Sequence, residues 1–344
     1  MDKRRVLILC TGGTIASRAG RSGLTPVIAA SELLSYVPEL TEKVGIDAVD
    51  VCRVDSTDMT PSHWIRIVEA IRDSYGAYDG FVVCHGTDTM AYTSAALSYM
   101  IQNARKPVVI TGSQKPIDIP GSDARANLTD AVVYASDPQS EGVCIVFGGS
   151  VIAGTRAKKT RARSFNAFSS INYPYLASIQ DGRILRYISP AEPDGPVSFY
   201  TDLCESVFVL KLTPGTRPDI LEYLFRSYDC LVIESFGLGG IPAAIRDEFC
   251  RQMDLWVSRG KIIVIATQVE NEGSNMEIYE VGNLMKSRFR LIESYDMTLE
   301  AAITKLMVLL PLHRGRYEEI RRAFYRTVNH DILYPACLPP AEET

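Results

Sequence analysis

The chain has 344 residues, 46% of them hydrophobic and 22% charged, with a formal net charge of -5. That length suits two domains, and the composition is ordinary for a soluble globular protein. The modest negative charge argues against a general nucleic-acid or acidic-membrane partner.

None of the eight cysteines lies in a CxxC pair. Cys10, Cys84, Cys144 and Cys230 sit inside apolar, strand-like runs. Free, buried thiols in a reducing compartment fit that placement. The opening MDKRRVLIL starts basic, but its apolar run is too short for a signal peptide. No segment approaches the roughly 18 apolar residues of a membrane span. The expected location is therefore the cytoplasm.

In chain order, Arg5 to Cys10 is a strand apolar on both faces, as a central parallel strand should be. It ends in Thr11-Gly12-Gly13-Thr14. Arg18 to Thr25 is glycine-rich and polar, which predicts a mobile loop. Ser31 to Leu34 opens a short helix with serine as its N-cap. Val49 to Val54 is a candidate strand ending in Asp55-Ser56-Thr57-Asp58-Met59. Thr60-Pro61 then starts a helix, with a capping hydroxyl followed by proline in the first turn. Trp64, Ile67, Val68, Ile71 and Tyr75 form its apolar face.

Phe81 to Cys84 is the next strand, ending in His85-Gly86-Thr87-Asp88-Thr89. An alanine-rich helix follows from about Met90 to Asn103. Pro107 to Ile110 is a strand ending in Thr111-Gly112-Ser113-Gln114. Asp123 to Ala135 suits a helix and Val143 to Phe147 a strand. Strand and helix alternate, which predicts a mostly parallel sheet flanked by helices. From Gly148 to Tyr187 short apolar pieces alternate with basic and polar residues, as in a hairpin and irregular loops. Ser189 to Pro196 has three prolines in eight residues and is the best linker candidate.

A second α/β pattern follows. Val207 to Leu212, Cys230 to Glu234 and Ile262 to Ala266 are strands. Pro218 to Arg226 and Pro242 to Ser258 are the helices between them. Thr298 to Leu310 and Arg316 to Thr327 close the chain as helices. The fold expected is α/β in two domains. A larger N-terminal domain, residues 1–188, holds a mostly parallel sheet flanked by helices. A linker spans 189–205, and a smaller C-terminal α/β domain spans 206–344.

Loops at the carboxyl ends of parallel strands are where open α/β sheets place their ligands. The strand ends at Thr14 and Thr87 present two hydroxyls to one crevice. A lone threonine hydroxyl is a weak nucleophile and needs a base or a preorganised proton acceptor. Asp88 offers a carboxylate for a substrate ammonium or a proton relay. It equally suits a cap for the helix that begins near Met90. Ser56-Thr57-Asp58 makes a third polar strand end, or plain turn chemistry. Lys158 and Lys159 lie in a basic run, TRAKKTRAR, whose residues alone do not choose between them. That run lacks the interleaved aromatics of a nucleic-acid site. The four histidines, His63, His85, His313 and His330, are scattered without zinc or di-iron spacing. There is no GxSxG elbow and no Walker loop, and TGGTIAS lacks dinucleotide-loop spacing.

With those loops located, the chain resembles the bacterial-type L-asparaginases, most closely the cytoplasmic type I enzymes, from Val6 to about Leu310. The marks are TGGTI at Thr11 to Ile15, DSTDM at Asp55 to Met59, HGTDT at His85 to Thr89 and TGSQ at Thr111 to Gln114. Weaker marks are Lys159-Thr160 and Met297 to Ala302. The resemblance implies hydrolysis of the side-chain amide of L-asparagine to L-aspartate and ammonia. It implies an acyl-enzyme on Thr14, with Thr87, Asp88 and Lys159 as a relay; both threonines count as catalytic. Substrate binding falls to Asp55, Ser56 and Thr57 with Thr87 and Asp88. Backbone N–H groups near Thr87 and Ser113 would stabilise the oxyanion. No metal or other cofactor is implied, and no nucleic-acid or membrane partner. A homodimer or homotetramer is.

One departure stands out. The family commonly has a tyrosine on the mobile loop after the first threonine, where this chain has Leu24. Thr25 or Ser22 would have to supply a hydroxyl, or the loop works without one. The resemblance also suggests a regulatory asparagine site in the second domain, with Gly239, Gln268 and Asn271 as candidates or as ordinary loop residues. Two lesser readings accompany the main one. A metabolite sensor could keep the pocket without turnover. The amidase subunit of a tRNA-dependent amidotransferase shares the motifs but carries an extra N-terminal domain, whereas here the first strand begins at Arg5.

Overall fold

The structure is a computed structural model and describes residues 3–20, 23–190, 195–278, 285–286 and 288–333. The chain divides into two compact units, Met1–Thr201 and Asp202–Thr344.

The first unit opens with β1 (Arg5–Gly12), β2 (Ser17–Gly20), β3 (Gly23–Pro26), α1 (Ala30–Leu34), α2 (Pro38–Lys43) and β4 (Gly45–Val54). It continues through α3 (Pro61–Ser74), β5 (Gly80–Cys84), α4 (Met90–Met100), β6 (Ile101–Gln102), β7 (Val108–Thr111), α5 (Ala124–Ser136) and β8 (Val143–Phe147). The strands β9 (Ser150–Ala153), β10 (Ala157–Lys159), β11 (Phe168–Ser170), β12 (Ala177–Gln180), β13 (Arg183–Arg186) and β14 (Ser198–Phe199) follow. Eight strands make one sheet in the order β13-β12-β9-β8-β7-β5-β1-β4. Its β8-β7-β5-β1-β4 part is parallel, and β9, β12 and β13 pair antiparallel.

Burial explains the central strands. Every residue of β5 is buried, and β1 is buried from Val6 to Gly12. A strand covered on both faces by helices can be apolar throughout. Along β1, Val6, Ile8 and Cys10 enter the core that Leu33, Leu128 and Val132 complete. α3 starts as its sequence predicts. Thr60 and His63 form a capping box, with Pro61 in the first turn. Trp64, Ile67, Val68 and Ile71 are its buried face.

Some elements depart from the sequence reading. Ser31 is not an N-cap. α1 starts at Ala30, preceded by extended Ala29 with no side-chain cap, and the buried Ala30 and Leu33 set its position. Arg18 to Thr25 is no irregular loop but part of a hairpin that pairs Arg18 with Thr25 and Ala19 with Leu24. Gly23, within that pairing, holds φ +124°, a conformation that glycine adopts freely. β4 is longer than Val49 to Val54 because it is an edge strand, where Asp47 and Asp50 face outward at no cost. The helix from Met90 stops at Met100 because Ile101–Gln102 pairs with Ser198–Phe199 instead.

The second unit is a four-stranded parallel sheet in the order β15 (Val207–Lys211), β16 (Cys230–Ser235), β17 (Ile262–Thr267) and β18 (Leu291–Glu293). Its helices α6 (Ile220–Ser227) and α7 (Ala243–Val257) connect strands. Two closing helices are Leu299–Leu312 and Tyr317–Tyr325. Phe225, Phe249, Trp256 and Met253 fill its core with Leu231, Ile233, Ile263 and Ile265. Among the described residues no helix is long and apolar enough to cross a membrane.

Strand order in the first unit creates a special place. The chain passes from β1 outward to β4, then returns across β1 to β5 and continues to β7 and β8. The direction of winding reverses between β1 and β5. A crevice at the carboxyl ends of such strands is the general ligand position in open α/β sheets. Here the two loops touch backbone to backbone. A Cβ on Gly13 would lie 2.3 Å from the Gly86 nitrogen and 2.4 Å from its Cα. Gly13 also holds φ +72°.

Gly121 provides a control for that contact, since it has the same φ of +72° and a Cβ there would have nothing within 4 Å. Both alanine variants bear the left-handed strain; only Gly13→Ala also meets backbone. We expect Gly13→Ala to be less stable than Gly121→Ala by about 1–3 kcal/mol, the range for overpacking. Urea midpoints of the two variants measure this, and equal midpoints would show that the loops part freely.

Candidate active site

Four loops converge at the carboxyl ends of β4, β1, β5 and β7, and small residues let them do so. Gly12 and Gly13 carry the chain out of β1, with Gly13 N–H donating to Val54 O at 3.0 Å. A Cβ on Gly86 would meet the Ser56 side chain at 2.7 Å, and one on Gly112 would meet His85 O at 2.2 Å. The result is a floor of packed backbone from which Thr14, Ser56, Thr87 and Gln114 rise.

Lys159 joins two of the expected residues. Its ammonium donates to Thr87 Oγ1 at 2.8 Å and to Asp88 Oδ1 at 2.7 Å. An ammonium has no acceptor capacity, so Thr87 receives that bond and directs its own proton elsewhere. Gln114 Oε1, at 3.3 Å, takes it. Strand alternation separates the two lysines. On β10 Lys159 pairs with Phe168 and Lys158 with Ser169, so their side chains leave opposite faces. The Lys159 side chain is 17% exposed and that of Asp88 58%. The carboxylate therefore keeps an open edge toward solvent.

The third strand end is tied to the second. Buried Ser56 accepts the Asp88 N–H on its Oγ at 3.3 Å and the Thr89 hydroxyl on its carbonyl at 2.7 Å. Asp55 and Thr57 are engaged with one another. Asp55 Oδ1 accepts the Thr57 N–H at 2.9 Å and its hydroxyl at 2.7 Å. Those two bonds, the backbone one foremost, hold the Asp55 carboxyl below its ordinary value. Asp88 does not cap the following helix; Thr89 stands at that position, without a side-chain cap bond.

The TGSQ loop is held from beneath. Asp123 accepts the N–H groups of Gln114 at 2.9 Å and Lys115 at 3.2 Å. Asn127 donates to Gly112 O and accepts from Gly148 N–H, both at 2.9 Å. The Ser113 hydroxyl turns into its own loop, onto Lys115 O, which leaves its backbone as the part available to the crevice. Thr14 is half-buried, and among the described residues its hydroxyl has no hydrogen-bond partner. Thr25 is exposed and pairs with Arg18, whereas Leu24, 50% exposed, pairs with Ala19. Neighbours on a strand face opposite ways, so Leu24 and Thr25 do not both turn toward Thr14. Ser22 lies outside the described residues.

Sequence reasoning misses four contributors, Gln114, His85, Trp64 and Thr93. Gln114 lies in a recognised motif, yet nothing in the sequence singles out its amide as the acceptor for Thr87. His85 looks like one of four scattered histidines, and Trp64 like part of an apolar face. The structure makes both part of one buried chain under the Thr87 loop. Trp64 Nε1 donates to Thr93 Oγ1 at 2.9 Å, which lies 2.9 Å from His85 Nε2. His85 Nδ1 lies 2.6 Å from Gly86 O. In the second unit, Gln268 donates to Leu212 O at 2.7 Å and Glu234 O at 2.9 Å. It ties strand ends together there.

The family model described as "Asparaginase, N-terminal" matches residues 5–191, and "Glutaminase/Asparaginase C-terminal domain" matches residues 206–324. The chain belongs to the asparaginase family. An L-asparaginase of Thermococcus kodakarensis is 37% identical, over 95% of this chain and 99% of that one. L-asparaginase 1 of Escherichia coli K12 is 33% identical, over 96% and 99%. A glutamyl-tRNA(Gln) amidotransferase subunit of Metallosphaera sedula is also 33% identical, over 92% of this chain and 74% of the relative. Among solved structures, the thermostable L-asparaginase from Thermococcus kodakarensis superposes with a TM-score of 0.89, covering 96% and 99% of the two chains at 37% identity.

In this asparaginase-family chain, burial pushes the His85 imidazole down to about 4, against a smaller opposing effect of its bond to Gly86. The unfolded chain takes up that proton near pH 6.5, before the folded one does. Stability should therefore fall as pH drops from about 6.5 to 4, by up to about 3 kcal/mol from this group. His85→Asn does not titrate, so its urea midpoint should decline less over that window. Parallel declines in the two proteins would remove His85 as the cause.

Proposed function

We propose that this chain hydrolyses the side-chain amide of L-asparagine to L-aspartate and ammonia through a threonine acyl-enzyme. The observation that carries the reading is the Lys159 ammonium shared by Thr87 Oγ1 and Asp88 Oδ1, beside the glycine loop of Thr14 at the sheet's switch point. Nucleophilic acyl transfer needs a hydroxyl, a proton route and a site for the oxyanion, and each has a candidate here.

In this scheme the Thr14 oxygen attacks the amide carbon: its O–H bond breaks as the O–C bond forms, the proton passes through the Thr87 hydroxyl toward the amide nitrogen, and negative charge builds on the carbonyl oxygen. The Thr87 N–H lies beside that position. The tetrahedral intermediate collapses as the C–N bond breaks and nitrogen leaves with a proton as ammonia. Water then attacks the ester carbon, the Thr14 O–C bond breaks, and one water proton returns to the Thr14 oxygen as L-aspartate leaves. Thr87, between Lys159 and Gln114, hands protons on and orients the water. The open edge of Asp88 receives the substrate α-ammonium, while Ser56 and the Asp55-held Thr57 line the α-carboxylate side. We place the enzyme in the cytoplasm as a homodimer or homotetramer, which the free cysteines of the described residues suit. Light scattering that found only monomer would reject the assembly.

The amidase-subunit reading is favoured by likeness to several such subunits, the Metallosphaera protein among them. Turnover of free asparagine by the purified chain, with no partner added, separates the two readings. Ammonia release from free asparagine supports ours, and its absence overturns it.

Two pairs of variants test the roles. Thr14→Ala and Thr87→Ala should each lower kcat by at least about 10³-fold with the fold intact, as loss of a nucleophile or its partner does. Near wild-type turnover in either would remove that residue from the mechanism. Lys159→Met should lower kcat by about 10²-fold or more. Lys158→Met, on the opposite face of β10, should change it little. Equal losses in ammonia release would defeat the assignment of Lys159.

A further inference from the structure

The buried chain beneath the Thr87 loop has a direction that its atoms dictate. The Trp64 indole N–H only donates, so Thr93 Oγ1 accepts there. Thr93 Oγ1 could accept a second bond as well, but among the described residues His85 Nε2 is the only other partner of this buried hydroxyl, so its one proton goes there. A nitrogen that accepts is unprotonated, so the neutral ring carries its proton on Nδ1. That proton meets Gly86 O, which can only accept. Both ends of the chain demand the same tautomer. All three side chains are buried, Thr93 and His85 completely.

The Gly86–Thr87 peptide is where this matters. Gly86 must be glycine because Ser56 and Gly13 pack against it, and glycine leaves the peptide that follows it free to rotate. Two orientations compete. In one, the carbonyl faces the imidazole and the Thr87 N–H points the opposite way, since the two are antiparallel across a trans peptide. In the flipped one, the N–H would meet the imidazole N–H, donor against donor, and the carbonyl would enter the crevice. The structure has the first. Thr87 is 5% exposed, and among the described residues its N–H faces no acceptor.

We propose that His85 is a positioning residue. With Thr93 and Trp64 it locks the Gly86–Thr87 peptide so that the Thr87 N–H faces the oxygen on which charge develops. The inference rests on the amidohydrolase reading and adds to it the part that keeps the oxyanion donor aimed. A polar chain that served only core packing would make no distinction between ground state and transition state. One that aims an oxyanion donor acts chiefly in the transition state, because charge on the oxygen appears only there.

The experiment compares wild type, His85→Leu, His85→Asn and Thr93→Val in steady-state ammonia release from asparagine. His85→Leu should lower kcat by roughly 10²-fold, the effect of a misplaced group near the reacting atoms, with little change in KM. His85→Asn should restore most of the loss, because its side-chain N–H reaches the position of the Nδ1 proton. Thr93→Val keeps the shape and removes only the hydroxyl, and should lower kcat by a smaller factor. A fully active His85→Leu, or a loss that asparagine at 85 does not restore, would overturn the proposal. Long-range ¹H–¹⁵N spectra of the wild-type imidazoles add a measurement that needs no variant to fold. A His85 protonated on Nδ1 supports the chain, and one protonated on Nε2 overturns it. Wild-type protein that released no ammonia would sink the amidohydrolase reading itself. An active wild type with an active His85→Leu sinks this inference alone.

Discussion

The backbone contact between Gly13 and Gly86 is the constraint on which the site depends. Adjacent parallel strands normally diverge into separate loops, each with room for side chains. Here a Cβ at Gly13 would sit 2.3 Å from a backbone nitrogen, so the loops after β1 and β5 close to bare backbone contact. That brings Thr14, one residue beyond Gly13, beside Thr87, one residue beyond Gly86. Neither threonine would need a long side chain to reach a shared atom of the proposed substrate. Short side chains also have little rotamer freedom to lose, and near-attack geometry is correspondingly easier to hold. The same logic extends outward: Gly86 against Ser56 and Gly112 against His85 O pull the β4 and β7 loops onto the same floor.

Charge is then arranged around that floor with few groups. Lys159 reaches in from β10, outside the parallel core, and meets a carboxylate and a hydroxyl together. A cation 2.8 Å from Thr87 Oγ1 favours negative charge on that oxygen. A protonated lysine cannot take a proton from it, however. In the observed arrangement the threonine proton is turned to Gln114. For Thr87 to relay protons as proposed, its hydroxyl must rotate or the lysine must give its proton up. The half-open Asp88 carboxylate steadies the ammonium in the meantime. The site is thus poised by hydrogen-bond direction as well as by distance.

Much of this is legible in the sequence, for physical reasons. Strands buried on both faces appear as continuous apolar runs, and glycine next to hydroxyls at their ends marks close backbone approach. β1, β5, β7 and β8 are visible in that way, as are the loops bearing Thr14, Thr87, Ser56 and Ser113. Lys159 against Lys158 is not legible from composition, because the choice depends on which face of β10 looks inward. The Arg18 to Thr25 hairpin escapes because polar residues with two glycines resemble a loop, while its pairing is purely backbone. β4 reads short because an edge strand tolerates Asp47 and Asp50, which break the apolar pattern. The Trp64, Thr93 and His85 chain is invisible since its members sit on α3, α4 and the β5 loop. Each alone resembles a core residue.

The two sides of the Thr87 loop obey opposite electrostatic rules. Above it, toward the crevice, the groups are ionic, and Asp88 retains solvent. Below it, the groups are neutral, buried and satisfied pairwise. A charge beneath the loop would lose its hydration with no partner to replace it, which is why burial pushes His85 down to about 4. A neutral imidazole is still a directional donor, and direction is what a glycine-flanked peptide lacks. Placing the ion pair on the wet side and the neutral relay on the dry side lets one loop be both electrostatically active and conformationally fixed. Exchanging the two would bury an ammonium under the sheet edge and leave the peptide without a fixed partner.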